Sequence, residues 1–125
     1  MINLDEFLDS YVSVWNEADP DKRLAGVTRL WADDGVHCTQ NLYCVGHATI
    51  AERISGANAS FVATGIHRFE QLGPIDGHHD TARFHWVMRD NGTNTPAGAG
   101  FDFIVFDESG RITTDFQYPA PVPAT

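Results

Sequence analysis

The sequence predicts an α+β fold: three N-terminal helices packed on one face of a curved antiparallel sheet. Three observations lead there. The first sixty residues repeat apolar groups at helical spacing, Thr81 to Arg89 alternates at strand spacing, and the helices precede the run of strands. Helices that come first in the chain and strands that follow favour helices segregated to one face of the sheet. Such a sheet curls around its helices and can enclose a cone-shaped cavity.

The elements follow in order. Leu4, Phe7, Leu8, Tyr11, Val14, Trp15 and Ala18 share one face of a helix over residues 3–18. Asp19-Pro20-Asp21 breaks it, with Asp19 as the cap of a second helix and Pro20 at its first position. That helix sets Leu24, Val27, Leu30 and Trp31 on one face and is expected to end at Asp33-Asp34-Gly35. Val36 to Tyr43 reads as a short strand and loop. Gly46 opens a third helix, His47 to about Phe61, with Ile50, Ile54 and Ala57 inward. The strands come next: Gly65 to Leu72, closed by a turn at Gly73-Pro74-Ile75-Asp76-Gly77, then Thr81 to Arg89. In the latter, Ala82, Phe84, Trp86 and Met88 alternate with Arg83, His85, Val87 and Arg89. Asp90-Asn91-Gly92 turns the chain into a final hairpin, Ala99 to Phe106 and Arg111 to Tyr118. Residues 1–118 form one expected domain. Residues 119–125, Pro-Ala-Pro-Val-Pro-Ala-Thr, form a tail too poor in backbone donors for a central strand.

With 125 residues the chain suits one domain with a real core, and there is no internal repeat. Eight basic against 17 acidic residues, a net charge of −9, argue against nucleic acid and anionic membranes, both of which reward a basic patch. No apolar stretch is long enough to span a bilayer, and the acidic start lacks the basic head of a signal peptide, so the expectation is cytoplasmic. Cys38 and Cys44 form no metal or redox motif, and no Gly-rich phosphate loop or dinucleotide motif is present, so no cofactor is expected. His78-His79-Asp80 opens a strand with its members pointing apart and has no partner motif, so no metal site is expected either.

One residue stands out. Asp102 interrupts the apolar run Phe101-Asp102-Phe103-Ile104-Val105-Phe106. A carboxylate there must be paired, with Arg83 or Arg89, or protonated, or at work. Apolar neighbours favour the neutral acid, which can donate a hydrogen bond to a developing oxyanion. If Phe106 pairs with Arg111 across the hairpin, Asp102 faces Asp115, and two adjacent carboxylates would not both ionise easily. A one-residue bulge at Gly110 would instead turn Asp115 to the other face.

Three stretches, "YVSVWNEADPDKRLAGVTRLWADDGV", "VGHATIAERI" and "GFDFIVFDESGRI", resemble in order and spacing the NTF2-like superfamily, and within it the SnoaL-like polyketide cyclases and ketosteroid isomerases. The isomerases use a first-helix tyrosine and a protonated late-strand aspartic acid as an oxyanion hole, and a second aspartate as base. The resemblance carries the tyrosine to Tyr11, the acid to Asp102 and the base to Thr39, which cannot serve. His37, two residues earlier, or Asp115, near the end of the sheet as in the cyclases, would then move the proton. His67, whose strand register is open, is a weaker candidate for the base, and Trp15, Thr39, Phe84, Trp86 and Met88 are the expected lining of the substrate pocket.

These features point to cofactor-free isomerisation, cyclisation or dehydration of a small hydrophobic carbonyl compound, in a protein that the resemblance implies is a homodimer through its outer sheet face. A non-catalytic binding or interaction domain is the alternative, favoured by the missing base. Epoxide hydrolysis would need an Asp-Arg-Asp arrangement, and Arg83 has the wrong strand parity for it.

Overall fold

The computed structural model describes residues 2–125. The elements run α1 (Leu4–Asn16), α2 (Pro20–Leu30), β1 (Trp31–Cys38), β2 (Tyr43–Val45), α3 (His47–Ala57), a π-helical turn (Asn58–Val62), β3 (His67–His78), β4 (Thr81–Asp90), β5 (Pro96–Phe106) and β6 (Ile112–Pro119). The six strands form one sheet in the order β2-β1-β6-β5-β4-β3. The fold is α+β, as expected, but the sheet is mixed rather than antiparallel, because β1 runs parallel to β6.

Both N-terminal helices start as the capping rules require. The Asn3 side chain accepts from Glu6 N–H, and Asp19 accepts from Asp21 N–H with Pro20 in the first turn. The α1 face Phe7, Leu8, Tyr11, Val14 and Trp15 is buried, and Ile50, Ile54 and Ala57 of α3 join it. The carbonyls at the end of α1 are satisfied from elsewhere in the chain. Asn58 Nδ2 donates to the carbonyls of Trp15 and Glu17, and Arg23 Nη1 also reaches Glu17 O at 2.6 Å. Asn16 clamps the edge strand β3 by exchanging two hydrogen bonds with the Phe69 backbone, at 2.8 and 2.9 Å. No helix among the described residues is long and apolar enough to cross a membrane.

Two boundaries differ from expectation because turn-forming residues make bulges inside strands, and a third bulge shifts the register of the last hairpin. Asp33-Asp34-Gly35 does not end α2, which stops at Leu30. These residues loop out of β1, where pairing with β6 jumps from Trp31↔Ile112 to Val36↔Thr114. Trp31 is therefore a fully buried strand residue, and Leu24 turns outward at 45% exposure. Gly73, at φ +77°, lets β3 bulge between Leu72 and Asp76 instead of turning, and the strand runs on to His78. In the last hairpin, Phe106 pairs with Ile112 and Val105 with Thr114, so a bulge falls at Thr113.

That last shift places the site. Asp115 lies opposite Ile104, and Asp102 lies opposite Gln117. The expected Asp102–Asp115 pairing is thus wrong by two residues, one from the turn and one from the bulge. A two-residue shift preserves the face on which a side chain stands. Both carboxylates therefore point into the core, as diagonal rather than direct neighbours.

Candidate active site

β1, β6 and β5 are consecutive in the sheet, and each contributes a wholly buried polar side chain to one cluster: His37, Asp115 and Asp102. His37 lies directly opposite Asp115 in the parallel pair, and its Nδ1 is 2.9 Å from Asp115 Oδ2. Above them α1 brings Tyr11, whose hydroxyl lies 2.6 Å from Asp115 Oδ2 and 2.9 Å from Asp102 Oδ2. On the far side of Asp102, Trp86 Nε1 donates to Oδ1 at 2.9 Å, and Gln117 Nε2 stands 3.5 Å from the same atom. Tyr11 is 3% exposed; His37, Asp102 and Asp115 are wholly buried.

Burial separates the protonation states. It raises the Asp102 carboxyl well above the usual range, and the adjacent Asp115 charge raises it further. Burial also lifts Asp115, but hydrogen bonds from Asp102 and Tyr11 and the positive field of Arg53 hold it to about 6. Burial lowers His37 to about 4, so at neutral pH it is a neutral ring. Tyr11 is raised above its ordinary value, first by burial and then by the two carboxyls. At neutral pH the cluster thus carries one negative charge, on Asp115. Asp102, Tyr11 and His37 are positioned to donate to it, and such charge-assisted bonds are the strong ones.

His37, Asp102 and Asp115 are also the one group of metal-type ligands among the described residues, with ligand atoms within 4.8 Å of one another. They fit a cation poorly. A divalent ion wants both carboxylates ionised, and the surroundings of Asp102 favour its neutral form. His78 and His79 lie exposed at the β3–β4 turn with their Nδ1 atoms 3.0 Å apart. His67 is half-buried against Phe61.

An apolar cavity of about 240 Å³ lies beside the cluster. Trp15, Phe61, Phe69, Trp86 and Met88 form its walls, with Arg53 and Gln117 as its polar groups. Tyr11, Asp102, Asp115 and His37 are not among the lining residues. Trp86 and Gln117 border the cavity on one side and touch Asp102 on the other. The polar cluster is therefore one side-chain layer behind the cavity wall.

Of the expected lining residues, Trp15, Trp86 and Met88 take that place. Phe84 does not. It is 1% exposed and packs edge-on behind the Tyr11 ring at 5.0 Å, in the core. Thr39 lies beyond the end of β1, where its Oγ1 accepts from the N–H groups of Asn41 and Leu42. It borders an outer depression that shares Arg53, Trp86, Ala99 and Gln117 with the cavity. Neither expected ion pair of Asp102 forms: Arg83 binds Asp76 on the surface, and Arg89 binds Glu70 at 2.7 Å. An Asp-Arg-Asp arrangement through Arg83 is excluded by the same contact.

Sequence reasoning missed Arg53, Gln117 and Phe61. Gln117 was within reach, since it follows Asp115 by two and must share its face. Arg53 sits at the flank of the Ile50-Ile54-Ala57 stripe, a position that reads as solvated from sequence alone.

Gly100 matters to this wall. It pairs with Trp86 across β4 and β5, and a Cβ there would stand 2.7 Å from Trp86 Cε2 and 2.8 Å from Tyr118 O. Gly100→Ala is expected to push the indole off Asp102 and to cost roughly 1–3 kcal/mol of stability. Tryptophan fluorescence and chemical denaturation would show it; an unchanged spectrum and midpoint would mean that the indole is not wedged there.

The architecture, a curved six-stranded sheet whose helical side holds this polar cluster, has clear structural relatives. A candidate isomerase of the SnoaL-like family from Agrobacterium tumefaciens superposes with a TM-score of 0.84 at 25% identity, over 93% of this chain and 96% of that one. A candidate polyketide cyclase from Sinorhizobium meliloti gives 0.68 at 15% identity, over 94% and 99%. A protein with a ketosteroid isomerase-like fold from Catenulispora acidiphila, in complex with trimethylamine, gives 0.68 at 15%, over 92% and 85%. The fold is that of the NTF2-like superfamily, and the chain stands structurally among its SnoaL-like and ketosteroid isomerase-like members. No family model matches the sequence, and no curated protein matches it.

Proposed function

We propose that the protein is a cofactor-free acid/base catalyst of the isomerase or cyclase type, acting on a small hydrophobic carbonyl compound. One observation carries the reading. Two buried carboxyls are driven to opposite protonation states, Asp102 neutral and Asp115 ionised with a value of about 6, one layer from an apolar cavity. Carboxyl pairs split in this way by their surroundings mark acid and base roles. A carbonyl oxygen that displaced the Trp86 and Gln117 contacts at Oδ1 would meet Asp102 as hydrogen-bond donor once the acid turned its one proton from Asp115 to that oxygen. Asp115, backed by His37 and Tyr11, would take or return the proton.

The test is exchange of α-protons of small aryl and cyclic ketones into deuterated water, followed by NMR. Asp115→Asn is expected to lower the rate ~100-fold or more, in line with the worth of a general base. In the unmodified protein the rate should rise with pH through about 6, as Asp115 ionises. A pH-independent rate, or full activity in Asp115→Asn, would remove this residue as the base.

A non-catalytic ligand-binding role is the second reading, and the sealing of the cluster favours it. If ligands bind in the cavity and no α-proton exchange is seen across the panel, this reading replaces the first.

The outer sheet face supports a further part of the proposal, self-association. Phe103 and Phe116 pair across β5 and β6 at 38% and 37% exposure, and Phe101 stacks on Tyr118 at 4.9 Å. Phe116→Glu should convert a dimer to a monomer in light scattering; a monomeric parent would end the idea.

A further inference from the structure

We propose that the cavity selects a compact apolar acid: a single-ring body with a carboxylate head, the carboxylate held by Arg53. The inference rests on the reading of this cavity as the ligand site and narrows its ligand class.

Arg53 stands apart by its place. It is the cation that lines the cavity, and, unlike Arg68, Arg83 and Arg89, it forms no ion pair among the described residues. Its guanidinium carbon lies 5.4 Å from the centre of the Trp15 ring. Its Nη2 donates to Gln117 Oε1 at 3.2 Å. Its Nε is buried and has no hydrogen-bond partner. A buried guanidinium N–H without an acceptor is costly, and the cost is relieved by a ligand that brings one. The side chain borders both the cavity and the outer depression. It therefore stands at the neck, where the head of a ligand would sit when its body is inside.

The chemistry of the neck matches a carboxylate. Arg presents a planar fork of donors that fits two carboxylate oxygens, and Trp15 fixes its plane from one face. No acidic residue lines the cavity, in a chain with a net charge of −9. The walls from Trp15, Phe61, Phe69, Trp86 and Met88 leave about 240 Å³, below the range of drug-sized ligand sites and suited to one ring. A neutral carbonyl compound offers Arg53 one acceptor and no charge; an acid offers two oxygens and the opposite charge.

Phenylacetate and its neutral isostere phenylacetamide separate these cases. Binding to the intact protein at neutral pH is read by tryptophan fluorescence, since Trp15 and Trp86 both face the cavity, and by calorimetry. Phenylacetate should bind at least tenfold more tightly than the amide, and Arg53→Gln should abolish the preference. Arg53→Lys, which keeps the charge and loses the fork, should retain only part of it. Equal binding of acid and amide by the parent overturns the proposal, as does failure of both to bind at millimolar concentration or an undiminished preference in Arg53→Gln. The parent comparison decides even if a variant fails to fold. Acid-selective binding without any proton exchange would sink the catalytic reading and leave this one standing. Proton exchange on neutral ketones with no acid preference would do the reverse.

Discussion

The protein is expected to lose stability as the pH rises above the ordinary carboxylate range, through the buried Asp102, and Asp102→Asn is expected to remove that loss. Asp115 is raised from 3.8 to about 6, so its native form holds a proton that the unfolded chain has released, and stability falls with pH across that window. His37 is lowered from 6.5 to about 4, so the unfolded chain binds the proton first, and stability rises with pH over nearly the same window. The two slopes oppose and nearly cancel. Asp102, raised well above its ordinary value, is left to set the net slope. Asparagine at 102 does not titrate, yet its oxygen can still accept from Trp86 Nε1 and its amide can still donate to Asp115. Denaturant melts of parent and variant from pH 4 to 8 give the difference curve, in which the surface carboxylates drop out. The variant should gain on the parent steadily as pH rises; a flat difference would mean that Asp102 titrates as an ordinary carboxyl.

Phe84→Ala should be the most damaging single change near the site, at about 3–5 kcal/mol. The ring is 1% exposed and sits edge-on to both Tyr11 and Phe7. Its loss opens a void behind the tyrosine that positions both carboxyls. Met88→Ala, half-buried on the same strand face, should cost much less stability and should weaken ligands that fill the cavity. Thermal melts and ligand titrations of the two variants are the measurement. Comparable stability losses would return Phe84 to the cavity wall and contradict its place in the core.

That contrast shows where strand parity stops being informative. Phe84, Trp86 and Met88 share a face, so the sequence could say that all three point inward. It could not say that Tyr11 covers the first while the other two remain open, because that depends on where α1 crosses the sheet. The same limit applies to the turns. Asp33-Asp34-Gly35 and Gly73-Pro74 have the chemistry of chain reversal, and a bulge uses the same residues. Neighbouring strands decide between the two, and no local signal does.

The sequence by itself determined the three helices, the buried faces of the first and third, the α+β class, and the inward direction of Asp102. Each follows from short-range periodicity and from the cost of placing a carboxyl in an apolar strand. The expected register was off, and the convergence of Asp102 with Asp115 survived only because the error was an even number of residues. Only the tertiary structure decided that β1 runs parallel beside β6, which sets His37 against Asp115, and that Trp86 and Gln117 stand between the cluster and the cavity. It also placed Arg53 at the neck. These are contacts between residues 16 to 78 positions apart in the chain, and they depend on bulges and helix crossings that only the assembled sheet imposes.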